Sequence, residues 1–229
     1  PIKAPMFCML FRKYIQNGII TEISQIDLVI NTHPDNDHLQ GLKQVGEHFT
    51  VNQMIVPDLP QDLLPSTDEY LSTMEVYQEK DVPIKQAVPN ETVWLDELKI
   101  EFLAPLQFYD TMNNNSVVVK LTYGDTSFLM MGDAEKEEEQ DLLNSGANLQ
   151  ADVIKIGHHG SKTSTTQEFL NAVQPNMAVI SVGPDKNELP KSEVLQRLEA
   201  SNVKTYRTDS SGTVIFMSDG ADITVATEQ

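Results

Sequence analysis

The sequence predicts a layered α/β fold, and two features carry that prediction. Over the second half, short runs rich in Val, Ile and Met alternate with amphipathic stretches of helical period, the pattern that packs helices outside a sheet. Composition agrees: 40% of the 229 residues are hydrophobic and 22% charged, a globular balance, and a chain of this length buries roughly 70% of its extended surface. No Pro/Gly/Ser-rich linker divides it, so residues 1–229 are expected to form a single domain.

The elements follow in order. Phe7, Leu10, Phe11, Tyr14 and Ile15 recur at helical spacing and Asn17-Gly18 stops them, so a first helix is expected to end near residue 17. Ile26 to Ile30 reads as a strand halted before His33-Pro34. Ser66-Thr67-Asp68-Glu69 has the spacing of a capping box, which predicts a helix over 67–80. Strands are expected at 92–95, 99–103, 117–123 and 127–131, the last two joined tightly at Gly124-Asp125. Helices at 135–144, 165–173 and 190–200 then alternate with strands at 153–156 and 177–182. Strands at 203–206, 213–217 and 222–226 finish the chain, with a turn at Ser210-Ser211-Gly212.

Charge and cysteine count exclude several classes. The longest unbroken apolar run, Met6 to Phe11, is far short of the ~20 residues of a membrane-crossing helix. One cysteine, Cys8, rules out an internal disulfide framework and a four-cysteine metal site, so a metal must be held by His, Asp, Glu or Asn. The net charge is −18, with 9 basic and 24 acidic residues in 1–149 but 7 and 10 in 150–229. An anionic ligand is therefore expected on the C-terminal third, while long DNA is poorly attracted overall unless a local basic strip around Lys155, Lys162, Lys186, Lys191 and Arg207 overcomes the repulsion.

Three segments carry chemistry. His33-Pro34-Asp35-Asn36-Asp37-His38 crowds ligand types directly after a strand; in extended chain residues two apart point the same way, so His33 and Asp35 converge, while Asp37 and His38 diverge to serve a second ion. Met130-Met131-Gly132-Asp133 puts a carboxylate at another strand end, and Gly157-His158-His159-Gly160 puts two imidazoles at a third. Such termini are where open α/β sheets build their sites. The plainer alternatives are a polar turn for the first segment, a helix N-cap for Asp133 and a satisfied loop pair for His158-His159. Lys162, four residues past His158, is the expected phosphate clamp or else a solvated lysine, and Ser161, Thr163 and Ser164 are weaker candidates. His48 reads as a surface or packed histidine, Cys8 and Trp94 as core, and Glu135 to Glu139 as the solvated first turn of a helix. Asn113-Asn114-Asn115 is a flexible loop or the remnant of a ligand position.

Together His33-Pro-Asp-Asn-Asp-His38, Gly132-Asp133 and Gly157-His158-His159-Gly160-Ser161-Lys162-Thr163-Ser164 resemble the signature of the metallo-β-lactamase superfamily. Asn115-Ser116-Val117-Val118, Gly132-Asp133-Ala134-Glu135-Lys136-Glu137 and Tyr206-Arg207-Thr208-Asp209 narrow the likeness to the soluble hydrolase domain of the ComEC competence family, over residues 7–217. The resemblance implies a four-layer αββα sandwich, here without its first N-terminal strands, and a nuclease associated with DNA uptake. It also implies one or two divalent ions, zinc or manganese: His33 and Asp35 face one position, Asp37, His38 and His158 the other, and Asp133 bridges them. Asn115, Ser116, His159, Ser161, Lys162 and Ser164 fall on the substrate side, with Asp37, Asp133 and Lys162 in catalysis. Relatives place histidines at the positions of Asp35 and near Asn115-Ser116, so this first pocket is oxygen-rich, which favours manganese or magnesium over zinc. They also carry a Gly-His-Pro-His element where this chain reads Asn187-Glu188-Leu189-Pro190. The expected activity is cleavage of a phosphodiester, DNA or a small nucleotide. The alternatives are a lactonase or thioesterase on the same fold, or a catalytically impaired binding module.

Overall fold

The structure is a computed structural model that describes residues 24–183 and 188–228. The helix expected before residue 17 lies outside the described residues. The fold consists of two compact units, one within 6–87 and the other from 88 onward.

The first unit is built from short parallel strands and three helices among the described residues. Its strands are β1 (Gln25–Ile26), β2 (Val29–Ile30), β3 (Thr50–Val51), β4 (Met54–Val56) and β5 (Ile84–Gln86). They pair as β1 with β3 and as β2, β4, β5. The expected single strand over 26–30 is thus split between two sheets. Asn52 causes the break: its side-chain amide donates to Asp27 Oδ1 at 3.0 Å and its backbone N–H to the Ile26 carbonyl, so the ladder ends at Ile26 and resumes at Val29 on the Gln53 carbonyl. Helices α1 (Asn36–Leu39), α2 (Leu42–His48) and α3 (Asp68–Glu79) complete the unit. The Thr67 hydroxyl caps α3 by accepting from the Tyr70 amide at 3.3 Å, so the helix starts where expected but its cap is one residue after the Ser66 that the capping-box spacing names. The core joins Ile26, Val29, Leu39, Val45, Met54 and Tyr77, whose hydroxyl donates to the Leu42 carbonyl at 2.8 Å. His48 is exposed beside the Gln44 carbonyl, the plain reading expected of it.

The second unit centres on one mixed sheet of seven strands among the described residues. These are β6 (Thr92–Leu95), β7 (Leu98–Ala104), β8 (Val118–Tyr123), β9 (Thr126–Met130), β10 (Val153–Lys155), β11 (Met177–Ile180) and β12 (Lys204–Arg207). Strands β6 to β9 form an antiparallel meander; β9, β10, β11 and β12 run parallel. The hairpin turn at Gly124-Asp125 is the one expected, with Gly124 at φ +57 where a Cβ would sit 2.3 Å from the Gly220 carbonyl oxygen. Helices α4 (Lys136–Asn144), α5 (Gln167–Val173), α6 (Ser192–Ala200) and α7 (Thr208–Ser211) follow, α7 replacing the turn expected at 210–212. A two-stranded ribbon, β13 (Thr213–Ser218) and β14 (Ile223–Glu228), ends the chain.

Val118, Leu129, Ile154, Phe169, Ala178, Ile180, Val194 and Leu198 interlock in this unit's core. Each large side chain so buried contributes about 1.5–3 kcal/mol. Trp94 corrects the expectation of a core residue: β6 is the edge strand, its residues alternate between exposed and half-buried, and Trp94 lies on the outward row, 61% exposed. No helix among the described residues is long and apolar enough to cross a membrane.

Candidate metal centre

Each unit presents ligand-type side chains in a loop at the C-terminal end of a parallel strand. In the first unit the loop follows β2, held down by the Asn31 amide donating to the His33 carbonyl at 2.9 Å. His33 is wholly buried, and its ring centroid lies 4.1 Å from that of His38. One hydroxyl orients both rings: Thr32 Oγ1 is 3.2 Å from His33 Nδ1 and 3.1 Å from His38 Nδ1. With each Nδ1 engaged by Thr32, each Nε2 turns to a carboxylate, His33 to Asp35 Oδ2 at 3.7 Å and His38 to Asp37 Oδ2 at 4.0 Å. This is how an outer group fixes the ring and leaves Nε2 for a cation. Residue type alone did not single out Thr32, although its place directly before His33 was visible.

In the second unit three neighbouring parallel strands bring their ends together. Register pairs Met130 with Lys155 and Lys155 with Val179, so the segments after β9, β10 and β11 emerge side by side. The β9 end delivers Asp133, whose backbone amide donates to Ser116 Oγ at 2.9 Å. The β10 end delivers His158 and His159, both left-handed at φ +44 and +52, a conformation costing a non-glycine residue about 1–2 kcal/mol. That curl separates the two imidazoles. His159 stands on Asp133, with Nε2 3.3 Å from Oδ2, and its Nδ1 lies 2.6 Å from the Ser181 carbonyl at the β11 end. A carbonyl only accepts, so Nδ1 carries the proton and Nε2 presents a lone pair toward a carboxylate oxygen. Two electron-rich atoms at that distance call for positive charge between them, either a further proton on the ring or a cation. Imidazole nitrogen and carboxylate oxygen are donors that divalent zinc or manganese accepts, so the residues present fit such an ion.

His158, which the family resemblance put on the metal, instead turns to Glu135, with Nδ1 3.1 Å from Oε1, while the Thr163 hydroxyl donates to the same oxygen. The residue meeting Asp133 within this unit is His159, expected on the substrate side. Asn115 is buried and spends its amide on its own loop, donating to the Tyr109 and Thr111 carbonyls and accepting from the Tyr109 amide. Ser164 Oγ donates to the Gly157 carbonyl at 2.7 Å, and Ser161 pairs with Thr163. Lys162 is exposed.

Three expectations are corrected. Lys155 leaves the basic strip: it is 2% exposed, donating to the Gly132 carbonyl at 2.7 Å with Nζ 3.6 Å from Asp133 Oδ1. Arg207 is occupied by a two-pronged pair with Asp209, and Lys186 lies outside the described residues. Asn114 is not part of a flexible loop; it is buried and its Oδ1 accepts from the Glu135 and Glu138 amides at the start of α4. The glutamates of that turn are only partly solvated, since Glu138 and Glu139 are buried. Burial pushes the Glu138 carboxyl well above its ordinary range, Glu139 beside it pushes further, and the Ser116 amide pulls back only in part. Glu139 is raised as well, by burial first, against the amides of Thr165 and Thr166 that it accepts from.

Comparison with known proteins adds the frame. Residues 20–183 match the sequence model of the metallo-beta-lactamase superfamily. The chain is 34% identical over 197 residues to ComE operon protein 3 of Bacillus subtilis, covering 85% of this chain and 25% of that protein. It is 30% identical over 209 residues to competence protein ComA of Neisseria gonorrhoeae, covering 88% and 27%. It thus spans about a quarter of the length of these curated relatives. Among solved structures, Igni18, a metallo hydrolase from the archaeon Ignicoccus hospitalis, superposes with a TM-score of 0.53 at 13% identity, covering 89% of this chain and 81% of that one.

Proposed function

The chain belongs to the metallo-beta-lactamase superfamily, and on that premise we propose that it is a metal-dependent phosphodiesterase. The observation that carries the reading is the His159–Asp133 pair, whose proton placement leaves a site for a cation. We propose that His33, Asp35, Asp37 and His38 are metal-binding residues of the first unit; their imidazoles are already turned to carboxylates by Thr32. A divalent ion held by Asp133 and His159 would supply the positive charge that phosphoryl oxygens need and would acidify water near neutral pH, the two needs of phosphodiester hydrolysis. The chain's own contributions are the orientation of the imidazoles by Thr32 and the Ser181 carbonyl, the fixing of the Asp133 backbone by Ser116, and Lys162 as an exposed ammonium for the departing phosphate.

With a net charge of −18, and with Lys155 and Arg207 of the basic strip engaged by Asp133 and Asp209, a short phosphodiester or nucleotide suits the chain better than long duplex DNA. Likeness to proteins named for competence supports a nucleic-acid substrate class. The test is turnover of a bis-aryl phosphodiester with Mn2+, run beside a lactone and a thioester. Activity on the phosphodiester alone, lost in Asp37→Ala and Asp133→Ala, is expected. Turnover of the lactone or thioester instead, or none at all, refutes the proposal.

A further inference from the structure

We propose that Arg197 and Glu139 are positioning residues: from two different helices they hold Thr165 in a left-handed turn, closing the loop that sets His159 on Asp133 and presents Lys162. The inference deepens the reading above and rests on it where Mn2+ binding is concerned. The loop is residues 156–166, between β10 and α5. Thr165 is 1% exposed and lies at φ +52, a conformation that a β-branched residue adopts only where its surroundings enforce it. Both of its polar backbone groups show that enforcement. Glu139 of α4 accepts the Thr165 amide on one oxygen and the Thr166 amide on the other, the latter at 2.9 Å. Arg197 of α6 donates through one nitrogen to the Thr165 carbonyl and, at 3.2 Å, to the Ser164 carbonyl. Thr165 thus has its N–H on a carboxylate and its C=O on a guanidinium, in a turn too buried for water to replace either readily.

The turn is tied to the half of the loop that carries the imidazoles. Ser164 Oγ donates to the Gly157 carbonyl at 2.7 Å and the Ser161 amide to the His158 carbonyl at 2.8 Å, so the segment holding Thr165 folds back on the one holding His158 and His159. The same two helices grip the loop a second time. The Lys191 amide, at the N-cap of α6, donates to the Gly160 carbonyl at 2.9 Å, and the Lys136 amide, at the start of α4, donates to the Thr163 carbonyl at 2.9 Å. Without Arg197 the Ser164 and Thr165 carbonyls lose a charged donor while the left-handed cost at Thr165 stays. The loop then opens locally, and the sheet beneath it keeps its own hydrogen bonds.

The experiment follows hydrogen exchange of the full chain by mass spectrometry without metal, and Mn2+ binding by calorimetry. In Arg197→Met and, separately, in Glu139→Gln, the amides of 157–166 should exchange about 10-fold faster with those of β9 and β11 unchanged, and Mn2+ should bind about 10-fold more weakly. Arg197→Lys, which keeps a cationic donor, should stay within about threefold of the wild type in both measurements. Thr165→Gly should shrink the exchange effect of Arg197→Met, because glycine takes the left-handed turn without steric cost. Unchanged exchange at 157–166 in Arg197→Met, or exchange that rises equally through β9 and β11, overturns the inference. An equal effect in the Thr165→Gly background overturns the part given to Thr165, and faster loop exchange with unchanged Mn2+ affinity overturns the link to His159. No Mn2+ bound by the wild type overturns the metal reading, and the exchange data still decide whether Arg197 and Glu139 hold the loop.

Discussion

Replacing Asn114 with alanine should destabilise the second unit by about 2–3 kcal/mol, a large effect for a loop residue. Helix α4 begins without a cap of its own, because the Glu135 side chain at its N-cap position accepts no amide. Asn114, from a segment more than twenty residues earlier, supplies the missing acceptor: its Oδ1 takes the Glu135 amide at 2.9 Å and, more weakly, the Glu138 amide at 3.4 Å. Loss of one good helix cap costs about 1 kcal/mol, with a range of about 0.5–2. The Asn114 amide also donates to Thr111 Oγ1 at 3.1 Å and to Glu137 Oε2 at 3.0 Å. A neutral bond is worth about 1 kcal/mol; the bond to Glu137, half-exposed, is discounted to about 0.5 kcal/mol. Asn114 is itself only 3% exposed, so water does not readily replace these partners. Urea denaturation followed by far-UV circular dichroism should show a lowered midpoint with an unchanged slope, and Asn114→Asp, which keeps the acceptor, should recover about half the loss. A change under about 0.5 kcal/mol in Asn114→Ala would show that the helix start is capped by solvent and that the reasoning is wrong.

Three further outcomes follow from the same contacts. Thr32→Val should weaken Mn2+ binding about 10- to 100-fold by calorimetry, and Thr32→Ser should restore it; equal binding in all three would remove Thr32 from the orienting role. Glu138→Gln should stabilise the protein at pH 7 and leave it unchanged near pH 4. The folded carboxyl holds its proton above the ordinary value of 4.5, so wild-type stability is full below that value and declines as pH climbs toward the raised one, a slope the glutamine lacks. A pH-independent difference between the two denaturation midpoints would contradict this. Trp94, the single tryptophan, should fluoresce as a solvated indole before and after unfolding, and Trp94→Thr should shift stability by less than about 0.5 kcal/mol; a strongly blue-shifted native spectrum would contradict its exposure.

Residue type made the candidate ligands of each unit stand out in the sequence, and backbone direction hid how they are arranged. The density of ligands at 33–38 and the acid ending an apolar strand at Asp133 were visible because few other roles suit such residues there. The choice between His158 and His159 was not, because it turns on two successive left-handed residues, which no alternation rule for extended chain anticipates. Lys155 read as part of a basic strip because lysine is usually exposed; its burial depends on a carbonyl twenty-three residues away, in the loop after the neighbouring strand. Glu138 and Glu139 share the inward face of α4 with Leu142, so a run that looks like a polar first turn contains two buried acids, one of which accepts the Thr165 and Thr166 amides ahead of α5. The sharpest case is Gly157, which carries no chemistry. A Cβ there would stand 2.7 Å from the Ala134 carbonyl oxygen, so only glycine lets the β10 loop lie against the residue following Asp133. The 3.3 Å approach of His159 to Asp133 is therefore set by a residue that is neither. Gly157→Ala, whose φ is ordinary and whose main penalty is that contact, should weaken Mn2+ binding while the fold survives. Unchanged affinity in that variant would mean the two loops are positioned independently.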